Sequence, residues 1–476
     1  MTRPAKPSLN AIALAAAAAA CLSLPVAAQG NDELLKELKA LRERVEQLER
    51  QVKAQPAAPK PGEWGMTPEQ ARELNRIAVK TEALQDNFTD QGYKGLKISG
   101  QIDPAYIINR RQNDRTFVFL NNGDARYTYD NSYFGMAVID FEKETESGAR
   151  WKLTLAPERG TGAVANSRSI VHEASVSLPL SDLQTRLWLG QIPDWTGYEI
   201  TLPAGNKLIT HNLLFDFTAP TSYTGAVLDI TRGKWWSRVG LANFNSARQS
   251  PGNNTPALIY RVDYSKGEFS GFGFSGVHGK IPNFAADGVY NDPATGDETP
   301  FPSAGKSTTA NLFEVDAFFT RGDWSLFGQI SVGQQKGAAI FNSDGVLRNA
   351  KWWGLSSTAA YKLTPRLEGV LRADYINNKS NGGGLLGYSG DDKVNGIGRG
   401  LVPNVDGEYV DFAKGESIGS NRWALTLGMN YLFDESTIFK FELRQDSASQ
   451  PVFYDTKSSR YYKSNTLLGA SVVVSF

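Results

Sequence analysis

The sequence predicts an all-β transmembrane barrel of about sixteen antiparallel strands with an N-terminal helical coiled-coil extension. Three observations lead there. From Gly95 onward, segments of roughly ten residues alternate apolar and polar side chains. The breaks between them alternate short and long. The last segment, "LLGASVVVSF", keeps apolar residues at alternate positions up to Phe476.

Residues 1–28 read as a secretory signal peptide. Arg3 and Lys6 supply charge, "LNAIALAAAAAACLSL" the apolar stretch, and "PVAA" before Gln29 a small-residue cleavage site. The apolar stretch is short for a membrane span. Cleavage after Ala28 removes the single cysteine, Cys21, and with it disulfide and thiol chemistry. Within 29–53, Leu34, Leu38, Leu41, Val45, Leu48 and Val52 follow alternating spacings of four and three, the seam of a short coiled coil. Glu37 with Arg42 and Arg44 with Glu49 are opposite in sign in a parallel register, which points to a homo-oligomer. A solvated charged helix is the other reading of the same residues. A Pro/Ala-rich linker follows at 54–66. Thr67-Pro68-Glu69-Gln70 then reads as N-cap, N1 proline and capping-box glutamine, opening a periplasmic or plug helix at 67–90.

The barrel is assigned to 95–476. "RLEGVLRADY" sets Leu367, Leu371, Ala373 and Tyr375 against Arg366, Glu368, Arg372 and Asp374. "NRWALTLGMNYLF" and "TIFKFELRQD" alternate in the same way, as do "LKISGQIDPAY" and "WKLTLAPE". One face of these segments carries full charges and the other ends in Trp or Tyr, as expected of a wet interior and an outer aromatic girdle. Short breaks such as "SDL", "RGK", "KGE", "RGD", "TPR" and "DES" read as tight turns at one rim, and long breaks as loops at the other. A barrel of this size leaves an aqueous channel. The terminal segment closes it against the strand near Leu96–Tyr106, removing a sheet edge that a bilayer does not tolerate.

Taken together, the signal peptide, the strand count, "TRLWLGQIPDW" and the terminal Phe476 resemble the Gram-negative outer-membrane porin superfamily. The coiled coil, linker and "WGMTPEQARELNRIAVKTEALQDN" helix resemble a porin-like proteobacterial family carried as a domain of unknown function. The resemblance implies a homotrimer in outer-membrane lipid, with its extension in the periplasm. It also implies insertion by the outer-membrane barrel assembly machinery, which would read Phe476 with Val474 and Val472. In general porins the loop between the fifth and sixth strands folds inward and narrows the pore. By strand count that loop is 193–220 here, with Asp194, Trp195, Glu199, Lys207, His211 and Asp216 as constriction candidates. An external flap is the other reading. General porins also face acidic loop residues with wall cations. The wall candidates are Lys97, Asp103, Lys152, Arg186, Arg366, Glu368, Arg372, Arg422 and Arg444. Many of the cations have an acidic neighbour two residues away, so ion-pair ladders along the wall compete with a bare cation cluster.

Other motifs do not carry chemistry. "GFGFSG" at 271–276 matches a dinucleotide fingerprint but lies on an alternating strand and opens no helix. "GKST" at 305–308 lacks the first glycine of a phosphate loop, and Arg321-Gly322-Asp323 is a tight turn. The three histidines have no metal-ligand spacing, and no serine or other nucleophile has a base in evident reach. The expectation is therefore a non-enzyme without cofactor, metal or nucleic-acid partner, passing small hydrophilic solutes or ions by passive diffusion. A tethering barrel acting through its coiled coil, or a substrate-specific uptake channel, are the alternatives. Loss of Arg3 and Lys6 with the signal leaves 48 basic against 50 acidic residues, so charge counts assign no ion preference.

Overall fold

The computed structural model describes residues 39–40, 42–47, 68–90, 93–120, 135–157, 170–220, 222–244, 256–267, 269–283, 289–291, 298–300, 305–338, 348–378, 401–403, 409–411 and 420–476. The signal peptide, the linker and most of the coiled-coil segment assigned from the sequence lie outside these residues. Residues 39–40 and 42–47 are helical, as is α1 (Pro68–Asp90). Arg44 Nη2 lies 3.7 Å from Glu73 Oε1 on α1.

Sixteen staves follow. They are β1 (Leu96–Ile102 and Ala105–Asn109), β2 (Asp114–Val118 and Ala137–Glu144), β3 (Arg150–Leu155), β4 (Val171–Asp182), β5 (Thr185–Pro193), β6 (Ser222–Arg232), β7 (Trp235–Phe244) and β8 (Ala257–Gly267). The second half comprises β9 (Ser270–Pro282), β10 (Ser307–Arg321), β11 (Trp324–Gln335), β12 (Ala350–Thr364), β13 (Leu367–Asn377), β14 (Arg422–Leu432), β15 (Thr437–Ala448) and β16 (Ser464–Ser475). Every neighbouring pair is antiparallel, and β16 pairs with both β15 and β1. The sheet is thus a closed sixteen-strand antiparallel barrel. Closure leaves no row of unpaired backbone groups.

Two staves are interrupted. β1 bends at Asp103-Pro104, because proline cannot donate to the ladder. The Asp103 carboxylate accepts from the backbone N–H of Gly135 at 3.0 Å and of Met136, pinning the point where β2 resumes. The hairpin between β1 and β2 is therefore tight, and β2 is interrupted between Val118 and Ala137. Short turns join staves at the rim where Leu96 and Phe476 lie. Gly233 and Gly322 adopt φ of 59° and 57° there, a left-handed conformation that glycine takes without steric cost.

The outer face is apolar. Leu371, Leu425, Leu427, Met429, Phe441, Leu443 and Leu468 are exposed along it. Trp353 and Trp423 stand toward the long-loop end, with Trp324, Tyr361 and Tyr431 toward the short turns. Trp353 and Tyr361 are about 26 Å apart along β12 at ~3.3 Å per residue, matching a lipid band about 25 Å tall. Phe476 turns its ring outward over Gly100.

The inner face departs from the wet interior expected of it. Ile192, Phe244, Ile259, Val277, Leu312 and Trp352 point inward and form one buried cluster. Ala105, Ile107, Val118, Ile376, Ala424 and Leu467 form another. An interior loop contributes to both, with Trp195 joining the first cluster and Ile209, Leu213 and Phe217 the second.

Candidate functional site

The segment between β5 and β6 enters the barrel and stays there; almost every one of its residues is buried or half-buried. Its local structure follows from its sequence. Pro203–Gly205 forms one 3₁₀ turn with proline at its start. Asn212 caps the short helix α2 (Leu213–Phe217) by accepting from the backbone N–H of Leu214 at 2.9 Å and of Phe215 at 2.8 Å. Gly197 turns with φ of 72° against the Gln329 side chain, where any Cβ would collide.

Most of the loop's polar bonds go to the wall from β12 through β16 to β1, while across from it Arg261 on β8 holds Trp195 O and the Thr218 hydroxyl lies 3.2 Å from Ser331 Oγ on β11. Glu442 accepts from the backbone N–H of Ile209 at 2.7 Å and of Thr210 at 3.0 Å, and from the Thr210 hydroxyl. Arg372 donates to Glu199 at 2.9 Å, to Thr210 O at 2.7 Å and to His211 O at 2.8 Å, while Asp374 holds its Nε at 3.0 Å. Arg444 also reaches His211 O at 2.8 Å and is held by Asp446 at 3.0 Å. Arg422 shares that aspartate at 2.7 Å. Lys440 donates to Pro203 O and Asn206 O at 2.8 and 2.6 Å, Gln101 accepts from Ala204 N–H at 2.8 Å, and Lys207 pairs with Glu368 at 2.7 Å. Between these bonds the wall is notched. Leu214 fills the space that a side chain at Gly354 would need, and Leu208 does the same at Gly428. Charge-assisted bonds contribute about 1.5–3 kcal/mol each, and the buried partners would be costly to leave unmade.

The arrangement sorts the sequence candidates. Glu199, Lys207 and His211 lie on the loop with Arg372, Arg422, Arg444 and Glu368 on the wall behind it, and Asp216 sits 4.0 Å from Arg444. Each of these three arginines is bonded to carboxylate, and two also hold loop carbonyls. His211 stacks on Phe215 with ring centroids 4.1 Å apart, and its Nε2 lies 3.1 Å from Ile200 O. Burial pushes this imidazole, on the loop and not on a stave, down to about 3, so it is neutral at physiological pH. Asp194 accepts from Tyr223 at 2.6 Å and from Thr196, and Trp195 packs against Tyr223. The remaining wall candidates stand apart from the loop. Asp103 clasps the β1 bend, Lys152 pairs with Glu173 at 3.1 Å, and Arg186 donates to Gly148 O and to Ser177 near a short turn. Lys97 is exposed at the short-turn end of β1, and Arg366 occupies a turn.

Space remains where the loop does not press on the wall. A cavity of about 440 Å³ opens toward the short turns, lined by Gln101, Lys362, Arg366, Glu368, Glu435 and Lys440 among others. A second, of about 310 Å³, separates loop residues 194–200 from β7, β8, β10 and β11. Gly205 and Lys207 line both. Sequence reasoning singled out no residue of this second wall. There Arg261 binds Asp263 and Asp316, both at 2.8 Å, and reaches Trp195 O at 2.7 Å. Arg238 lies 3.7 Å over the Trp236 ring and binds Asp229 at 3.0 Å. The signal was available in "RVD", the same Arg-x-Asp alternation as "RAD" and "RQD".

Comparison with known proteins gives three findings. No curated protein matches the chain. Solved structures with a similar arrangement include OmpT, an outer membrane protein of Vibrio cholerae, at 10% identity and TM-score 0.49 over 80% of this chain and 97% of that one. They also include an anion-selective porin from Comamonas acidovorans, at 12% and 0.47 over 80% and 99%. The outer membrane channel DcaP of Acinetobacter baumannii matches at 12% and 0.46 over 80% and 97%. The family model described as protein of unknown function (DUF3138) matches residues 9–476, and the chain belongs to that family.

Proposed function

We propose that the chain is an outer-membrane channel for passive diffusion of small hydrophilic solutes and ions, with the loop between β5 and β6 as its constriction. The supporting observation is the uneven attachment of the loop, densest on one wall. Bonded chiefly to the β12–β1 wall and at Trp195 O to Arg261, it leaves two cavities that share Gly205 and Lys207. Solutes would pass along that side, with Lys207, Arg238, Arg261, Asp263 and Asp316 at the edge of the route. Because both arginines there are paired with carboxylates, counter-ion attraction is largely cancelled and the ion preference is weak. In this reading the protein is a homotrimer, its N-terminal extension is periplasmic, and the assembly machinery recognises Phe476, Val474 and Val472.

Single-channel recording of the purified protein in a planar bilayer under a salt gradient tests the reading. Stepwise conductance in groups of three and a small reversal potential are expected. A barrel that inserts and stays silent would overturn the diffusion role.

A further inference from the structure

We propose that the outer face of β9–β12, at its long-loop end, binds the phosphorylated headgroup of a membrane lipid. The strand register brings the residues together. Lys280 on β9 is paired with Thr309 on β10, and the backbone of Thr309 is bonded to Lys336, which directly follows β11. One step toward the membrane, His278, Asn311, Gln334 and Lys351 form the next outward row across β9, β10, β11 and β12. Two strand spacings separate Lys280 from Lys336, about 9–10 Å, so flexible ammonium groups at these positions and at Lys351 converge on one anion.

Lys280, Lys336 and Lys351 are exposed, and none has an ion pair among the described residues. The described outward positions of β9–β12 include no aspartate or glutamate. Beside Lys351, the row beneath carries the hydrogen-bonding side chains His278, Asn311 and Gln334. His278 is held by the Tyr260 hydroxyl at 3.1 Å and by Asn311 Oδ1 at 3.0 Å. Below that row come Phe313, Val332 and Trp353, exposed on the apolar band. Lysines at the top two levels, amide and imidazole groups beside them and apolar surface below follow the order of phosphate, headgroup linker and acyl chain in a lipid. Among the described residues, the outward positions at the same end of β13, β14 and β15 are Asn377, Trp423 and Ser447, with no lysine. Lysines that merely reached toward water from a lipid boundary would have no reason to gather on one arc. The inference rests on the membrane reading of the outer face and not on conduction. A variant can therefore lose lipid while still conducting, and a silent barrel can still bind it.

The test uses the full-length protein in phosphatidylcholine vesicles doped with diphosphoryl lipid A, or with the same lipid A after enzymatic dephosphorylation. An attraction of about 1 kcal/mol per cation near a charged surface makes each Lys→Gln change weaken diphosphoryl lipid A binding roughly 5-fold. The combined Lys280→Gln, Lys336→Gln, Lys351→Gln variant should lose on the order of 100-fold. Lys266→Gln, at the opposite rim, should leave binding unchanged, and heat-modifiable migration on a gel verifies that each variant is folded. Undiminished binding by the triple variant would overturn the proposal. So would equal binding of the dephosphorylated lipid, which would mean acyl contact alone, or equally tight binding of inorganic phosphate by itself.

Discussion

Replacing Glu442 with alanine should release the interior loop. The carboxylate accepts the backbone N–H groups of Ile209 and Thr210 together with the Thr210 hydroxyl, all three buried. Alanine leaves both amides without an acceptor, and each such group costs about 1–3 kcal/mol. The docked loop should therefore lose about 2–6 kcal/mol, raising the undocked population roughly 30-fold to 10⁴-fold. Arg372, Arg444 and Lys440 still hold the carbonyls of Pro203, Asn206, Thr210 and His211, so the barrel itself should remain folded. Single-channel recording should show larger conductance and more current noise, and hydrogen exchange should show lost protection at residues 209 and 210. Glu442→Gln keeps one acceptor oxygen and should fall between. Wild-type current, noise and protection in the alanine variant would refute the view that this carboxylate anchors the constriction.

Other outcomes follow from the same geometry. Gly354→Val should push Leu214 out of its notch at a cost of about 1–3 kcal/mol, with a change in conductance and little change in heat-modifiable migration. Truncating Phe476 to alanine removes the ring over Gly100 and should reduce the folded fraction recovered from membranes; full recovery would count against a role for the ring in assembly. His211 has its folded value below that of an exposed imidazole, about 6.5, so the undocked loop binds a proton that the docked loop refuses between about pH 6.5 and 3. Docking should therefore weaken by up to about 1.4 kcal/mol per pH unit as pH falls through that window, and not above it. Current noise that rises on acidification in the parent and stays flat in His211→Asn would bear this out; identical pH profiles would exclude it.

Much of the fold was legible because a closed sheet with an apolar outer face imposes a strict period of two on every stave. "NRWALTLGMNYLF" could be divided into faces residue by residue, since no soluble surface would hold Trp423, Leu425, Leu427 and Met429 exposed in a row. The interior was less legible. Polar-inside patterning presumes that water fills the lumen, and inward residues such as Ile107, Leu312, Trp352 and Leu467 break it because the chain packs there instead. The length of the interior loop is plain in the sequence, but its partners are not. Glu442, Asp374 and Asp446 look like any acids on a polar face until the register sets them beside Thr210, Arg372 and Arg444. The interruption of β2 was hidden too, because alternation resumes beyond it with the same parity.

The dense attachment of the loop to the late staves also orders events in time. Its anchors at Glu368, Arg372, Lys440, Glu442 and Arg444 lie 161 to 237 residues from the loop positions they hold. A chain delivered from its N-terminus presents the loop long before the wall that receives it, and closing so large a loop is entropically slow. Until β12–β15 are in place, the loop lacks the Glu442 acceptor and the notches at Gly354 and Gly428. Constriction would then be the final step of maturation, and an incompletely assembled barrel would betray itself by being leaky.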